Sequence, residues 1–222
     1  MSLPLSKRAL SELLGTYCLI LLGCGAMAVD AQSGALTHVG IATTWGLVVM
    51  VMIYATGRIS GAHMNPAVSV AFAAQGKLPI TDCVVYIIAQ CVGSIAAAAS
   101  ILAVVGMNEA SLGATTTELP FLTAVAVEFV MTAILMMVVM GVSTGAKEEG
   151  VTAGIAVGAT ILMEAMVAGP LTKASMNPAR SFGPALVSND LQQVPIYLVG
   201  PFLGALTGAL LYKLMAPAGD ET

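Results

Sequence analysis

Met64-Asn65-Pro66-Ala67-Val68-Ser69 returns 112 positions later as Met176-Asn177-Pro178-Ala179-Arg180-Ser181. Each Asn-Pro-Ala triplet can open a helix, because asparagine is a strong N-cap and proline suits the first helical position, where its missing N–H is no loss. The apolar runs that follow, Pro66–Ala74 and Pro178–Val187, are too short to cross a bilayer, whose ~30 Å of hydrocarbon needs ~20 residues of helix. One such triplet is usually just a capped helix. Two in matching places of a repeated chain imply a pair of short half-helices with a shared role.

Working outward, apolar segments long enough to span fall at about 9–29, 38–57, 82–105, 121–142, 151–169 and 194–215. The half-helices lie in the long connections 58–81 and 170–193. Glu12 recurs as Glu128 near the start of the first span of each half, and Gly93 as Gly204 within the last. Three spans per repeat is an odd number, so the second half must be inverted relative to the first and the half-helices enter from opposite faces. The expected fold is an all-α membrane protein, a single domain over 1–222 with six transmembrane helices and two re-entrant half-helices. Its first inverted repeat covers 1–110 and its second 121–222. Half-helices meeting N-terminus to N-terminus would aim two asparagine amides and two positive dipole ends, roughly half a charge each, at one point. Such a point repels cations and donates hydrogen bonds to a passing oxygen.

Composition agrees. Of the 222 residues 58% are hydrophobic and 9% charged, whereas a soluble domain is about a quarter charged. The net charge of −4 comes from 12 acids and 8 bases, and no basic or aromatic-basic patch of the kind nucleic acid requires is present. Cys18, Cys24, Cys83 and Cys91 lie in or beside apolar stretches without metal-ligand spacing, and read as small buried apolar residues rather than metal ligands. The first apolar stretch follows Lys7 and Arg8 as a signal peptide would, but its length and its five successors make it a first membrane helix. Lys7, Arg8, Arg58, Lys77, Lys147 and Lys213 fall on the side shared by the termini, against Lys173 and Arg180 on the other. The positive-inside bias therefore makes the termini cytoplasmic, in a cell membrane.

With these residues in view, the chain resembles the aquaporin, or major intrinsic protein, family over essentially its whole length. The resemblance rests on Ser60-Gly61-Ala62-His63-Met64-Asn65-Pro66-Ala67-Val68, on Ser175-Met176-Asn177-Pro178-Ala179-Arg180-Ser181, and on the paired Glu12 and Glu128. It implies a homotetramer with one pore per protomer, and selectivity by pore diameter, hydrogen-bond lining and an arginine or half-helix barrier. It places a four-residue outer constriction at Trp45, Ala165, Ala174 and Arg180. Strictly water-selective relatives carry histidine where this chain has Ala165, so the opening is expected to be wider and more apolar. A tryptophan face opposite an arginine suits a solute with apolar edges on one side and hydroxyls on the other. Ala156-Val157-Gly158-Ala159-Thr160, Ala168-Gly169-Pro170, Tyr197 and Leu198 look like the nodulin-type branch, which carries glycerol and metalloid acids. Ser181 and Ala185 instead resemble the water-channel pattern, not the Asp and Lys of glycerol facilitators.

Several residues admit a structural reading beside the functional one. Arg180 could anchor a loop, yet a charge at membrane depth is costly and is expected to serve the pore. Trp45 could be an interfacial belt residue, and the resemblance favours pore lining. Glu12 and Glu128 could relay protons, but their equivalence favours accepting N–H groups of the irregular loops. Among the pore-loop residues Gly61, Ala62, His63, Lys173 and Ser175, His63 is expected to be a hydrogen-bonded strut rather than a pH gate. Glu164, where the nodulin-type branch carries asparagine, is expected to pair with a donor such as Lys173 or to touch the solute. Met64 and Met176 are candidates for the narrow region.

The function expected is a passive channel for small uncharged solutes such as glycerol or undissociated metalloid acids, with water. A strictly water-selective channel is the alternative. An ion-coupled transporter also uses inverted repeats and broken helices, but only Glu164 is available to hold a coupling ion. An enzyme would need a nucleophile with its base or a metal cluster; His38 and His63 are the only histidines, and neither HExxH nor GxSxG occurs. No cofactor or metal is expected.

Overall fold

The computed structural model describes residues 3–106, 111–143 and 147–216. Its helices are α1 (Leu5–Ser33), α2 (Thr37–Ser60), α3 (Pro66–Ala74), α4 (Ile80–Val105), α5 (Phe121–Ser143), α6 (Lys147–Thr172), α7 (Pro178–Val187) and α8 (Val194–Met215), with a 3-10 turn at Ser111–Gly113 between α4 and α5. No strand occurs among the described residues. Among the described residues, six helices are long and apolar enough to span a membrane. Their outward faces carry exposed aliphatic side chains such as Val104, Leu122 and Val167, which suit lipid and not water.

The two half-helices have the bounds expected from the triplets. Asn65 caps α3 by accepting from the Ala67 N–H, and Asn177 caps α7 by accepting from the N–H groups of Ala179 and Arg180. α1 overruns its apolar segment, expected over 9–29, by four residues at each end, since polar ends continue a helix until something stops it, whereas α8 keeps the expected 194–215. Gly34 and Gly61, at φ 65° and 92°, end α1 and α2 in the left-handed conformation that favours glycine. A similar departure is in α6, expected over 151–169: it begins at Lys147 and runs through Pro170 to Thr172. A proline inside a membrane helix is tolerated where another group takes the carbonyl it frees. The side chain of Lys147, counted above among the bases on the termini's side, lies outside the described residues.

Small residues set the helix crossings. A Cβ on Gly93 of α4 would overlap the Leu13 carbonyl oxygen of α1, and a Cβ on Gly204 of α8 would overlap that of Phe129 in α5. Gly46 of α2 and Gly158 of α6 face each other so closely that a Cβ on either would sit 2.6 or 2.7 Å from the other's carbonyl oxygen. Without a hydrophobic drive between helices in lipid, such close backbone approach and its dispersion gain hold the bundle. The paired crossings α1 with α4 and α5 with α8 follow the inverted repeat, and α3 meets α7 between them.

Candidate functional site

The half-helix ends meet at the centre of the bundle. The Asn65 amide donates from Nδ2 to the Met176 carbonyl and the Asn177 amide donates from Nδ2 to the Met64 carbonyl, both at 2.8 Å. Each half thus holds the other's cap. Each amide nitrogen carries a second hydrogen, and both asparagines line a central cavity of about 120 Å³. Much of the remaining wall is aliphatic or aromatic, including Leu19, Val49, Phe72 and Leu135, so polar contacts are few and fixed in position.

The loops entering α3 and α7 are strained in the same way. Ala62 and Met64 have φ of 51° and 48°, and Ala174 and Met176, 112 positions on, have 46° and 52°. Left-handed backbone at a residue with a Cβ costs about 1–3 kcal/mol and persists only where its surroundings over-determine it. Two fully buried carboxylates do so. Glu12 accepts from the N–H groups of His63 and Met64 at 2.9 and 2.6 Å, from the Ser60 hydroxyl at 2.7 Å and from Gln90 Nε2 at 2.8 Å. Glu128 accepts from the N–H groups of Ser175 and Met176 at 2.9 and 2.7 Å and from the Thr172 hydroxyl at 2.7 Å. Tyr86 and Tyr197 repeat the symmetry, donating to the carbonyls of Ser60 and Thr172. Gln90 breaks it, since the position matching it in α8 is Pro201, with no donor to offer Glu128.

His63 is a strut by geometry. Its Nδ1 lies 3.1 Å from the Ser69 hydroxyl and its ring stacks on Phe72 at 4.6 Å. Ser175 occupies the matching place in the other loop and contacts Ser181 at 2.6 Å. Gly61, Ala62, His63 and Ser175 line the central cavity, while Lys173 is exposed and lines a second cavity outside it. Met64 and Met176 line the central cavity too, and their carbonyls serve the asparagines.

Trp45, Ala165, Ala174 and Arg180 all line the central cavity, and Trp45 and Ala165 also border the second one. Arg180 is 2% exposed, donates from Nη1 to the Gly113 carbonyl at 2.7 Å and from Nη2 to the Met27 sulfur at 3.2 Å, and its Cζ lies 4.8 Å from the centroid of the Trp45 ring. That separation is a cation–π contact and leaves no gap between the two groups. Tryptophan and arginine therefore do not face each other across the opening as expected; they form one continuous wall, apolar grading into cationic. The space beside them is bounded by the methyl groups of Ala165 and Ala174.

Glu164 does not pair with Lys173 and does not line either cavity. It is 5% exposed, and both of its carboxyl oxygens are buried without a hydrogen-bond partner. The reason is rotational: Ala165 points at the cavity, and its neighbour on the helix is turned about 100° away. A charge buried without any donor is costly at this depth.

The major intrinsic protein family profile matches residues 1–212. The chain belongs to that family. Among its curated relatives, Aquaporin NIP1-1 of Zea mays is 43% identical over 215 residues, covering 96% of this chain and 76% of the relative. Aquaporin NIP1-2 of Arabidopsis thaliana is 42% identical, with the same shares of each chain. The aquaglyceroporin of Plasmodium falciparum superposes with a TM-score of 0.87 over 99% of this chain and 100% of that one, at 24% identity, which is a likeness of fold. This member of the major intrinsic protein family is thus an integral multi-pass membrane protein.

Some of its site could not be read from sequence. Gly113 sits in the turn between α4 and α5, outside both repeats read from the sequence, yet its carbonyl holds Arg180 and a Cβ there would collide with Cys24 at 2.8 Å. Gly23 gives the Trp45 ring its seat, since a Cβ would lie 2.4 Å from it. Ser94 donates to the Ala179 carbonyl at 2.6 Å, tying α4 to α7. Gln90 and Ser94 carried one usable signal, namely polar side chains four apart inside an apolar span.

Proposed function

We propose that the chain forms a passive transmembrane channel for small uncharged solutes, glycerol and undissociated metalloid acids among them, together with water. The observation that carries the reading is the ring beside Arg180, where two alanine methyls leave room and Trp45 offers an apolar wall continuous with a hydrogen-bond donor. A solute with a carbon edge and hydroxyls matches both parts of that wall, and inside the cavity the second N–H of Asn65 and of Asn177 receives its oxygen. The relatives' designation as NIP aquaporins, and the aquaglyceroporin likeness in fold, support a channel of this class. Glu12 and Glu128 act as anchors of the two loops. The assembly is a homotetramer of protomers, each with its own pore, with cytoplasmic termini in the cell membrane.

The test is paired water and glycerol flux in vesicles with equal amounts of wild type and Ala165→His. The imidazole fills the open side of the ring and excludes a three-carbon solute before it impedes water. Glycerol permeability is expected to fall by about tenfold or more and water by about threefold or less. A wild type that already excludes glycerol and boric acid leaves the water-selective reading standing.

A further inference from the structure

Pro170 in α6 has no N–H to give the carbonyl four residues before it, that of Met166, and Met166 follows the ring residue Ala165. The orphaned carbonyl is taken from outside the helix: His38 Nε2, on α2, lies 2.8 Å from the Met166 oxygen. A carbonyl only accepts, so Nε2 carries the hydrogen. Two further features fit the imidazole to this place. Gly169 leaves the space it occupies, since a Cβ there would lie 2.8 Å from His38 Cε1. The turn before α2 is built rigidly, with Asp30 Oδ1 accepting from the N–H groups of Leu36 and Thr37 at 2.8 and 2.7 Å and Thr37 held at φ 60°. His38, Trp45, Ala165, Gly169 and Pro170 all border the outer cavity.

We infer that His38 is a positioning residue for selectivity: it latches the proline-broken end of α6 to α2 and so fixes the distance between the Ala165 and Trp45 walls of the ring. The two walls sit on the two helices that the latch joins. They are held together deeper in the bundle by the Gly46–Gly158 contact, and at the mouth by this hydrogen bond. Breaking it lets α6 draw away from α2, which widens the ring and favours the larger solute. The inference rests on the channel reading proposed above.

The experiment measures the glycerol-to-water permeability ratio in reconstituted vesicles, a quantity independent of how much protein folds. His38→Ala is expected to raise the ratio about threefold, and His38→Gln, whose amide nitrogen can reach the same carbonyl, to stay within about 1.5-fold of wild type. Gly169→Ala, which displaces the imidazole without touching it chemically, is expected to behave as His38→Ala does. The decisive variant is the double His38→Ala, Pro170→Ala. Residue 170 then supplies the N–H that the helix lacked, and the ratio returns towards wild type. An unchanged ratio in both His38→Ala and Gly169→Ala overturns the inference, as does a double variant no closer to wild type than His38→Ala alone. A wild type that passes neither water nor glycerol sinks the channel reading itself, which separates the two failures.

Discussion

Among the described residues, three buried glutamates lie in the spans, and their fates differ by partner alone. Glu12 and Glu128 each collect two loop N–H groups and a hydroxyl, whereas Glu164 collects nothing. Glu128→Ala would strand the N–H groups of Ser175 and Met176, each at about 1–3 kcal/mol, and release the left-handed turns at Ala174 and Met176. Loss of solute flux together with a lower Tm in detergent is therefore expected of it. Glu164→Gln keeps volume and breaks no bond, so water flux within about twofold of wild type and a stability change under about 1 kcal/mol are expected. A large loss in Glu164→Gln would mean that the acid has a partner or a proton to exchange. The paired acids were legible because the repeat exposed them; the lone one was not, since whether Glu164 faces Lys173, the lumen or neither depends on helix rotation that no local pattern fixes.

At the scale of elements, the half-helices were readable to the residue because both of their determinants are local: an N-cap asparagine and a proline at the first position. The ends of the spans were less so. Hydropathy marks where the apolar stretch stops, whereas the helix continues to its next breaker, as α1 does to Gly34. Pro170 misled for the same reason, because its missing N–H is offset by a histidine on another helix. The crossings depend on glycines whose need is visible only once two backbones touch. Gly204→Val would press a branched side chain into the Phe129 carbonyl of α5, and overpacking of this kind costs about 1–3 kcal/mol or more. A Tm drop of that order is expected, with Gly25→Val, which meets nothing within 4 Å, as the control that stays near wild type. Equal effects at the two positions would show that helix propensity and not close approach is what the glycine provides.

For the whole molecule, the inverted repeat has a consequence beyond economy of sequence. Two half-helices of opposite sense put their positive ends at one place, reinforced by the Asn65 and Asn177 amides, and Arg180 adds a full charge at the ring. On the proposed channel reading, a cation moving either way would meet a barrier set largely by backbone dipoles. Of the three buried acids described in the spans, Glu12 and Glu128 are saturated by loop N–H groups, and Glu164 borders neither cavity. Alternating access would also require the α3 and α7 ends to part, breaking both asparagine-to-carbonyl bonds of the junction at about 1 kcal/mol or more each. Flux is therefore expected to be bidirectional, to follow the solute gradient alone, and to be unchanged when a proton or sodium gradient of either sign is imposed across the vesicle. The measurement is glycerol efflux and influx from the same preparation with and without each ion gradient. Equal rates in all conditions support a fixed open path, and uphill accumulation driven by either ion would overturn it.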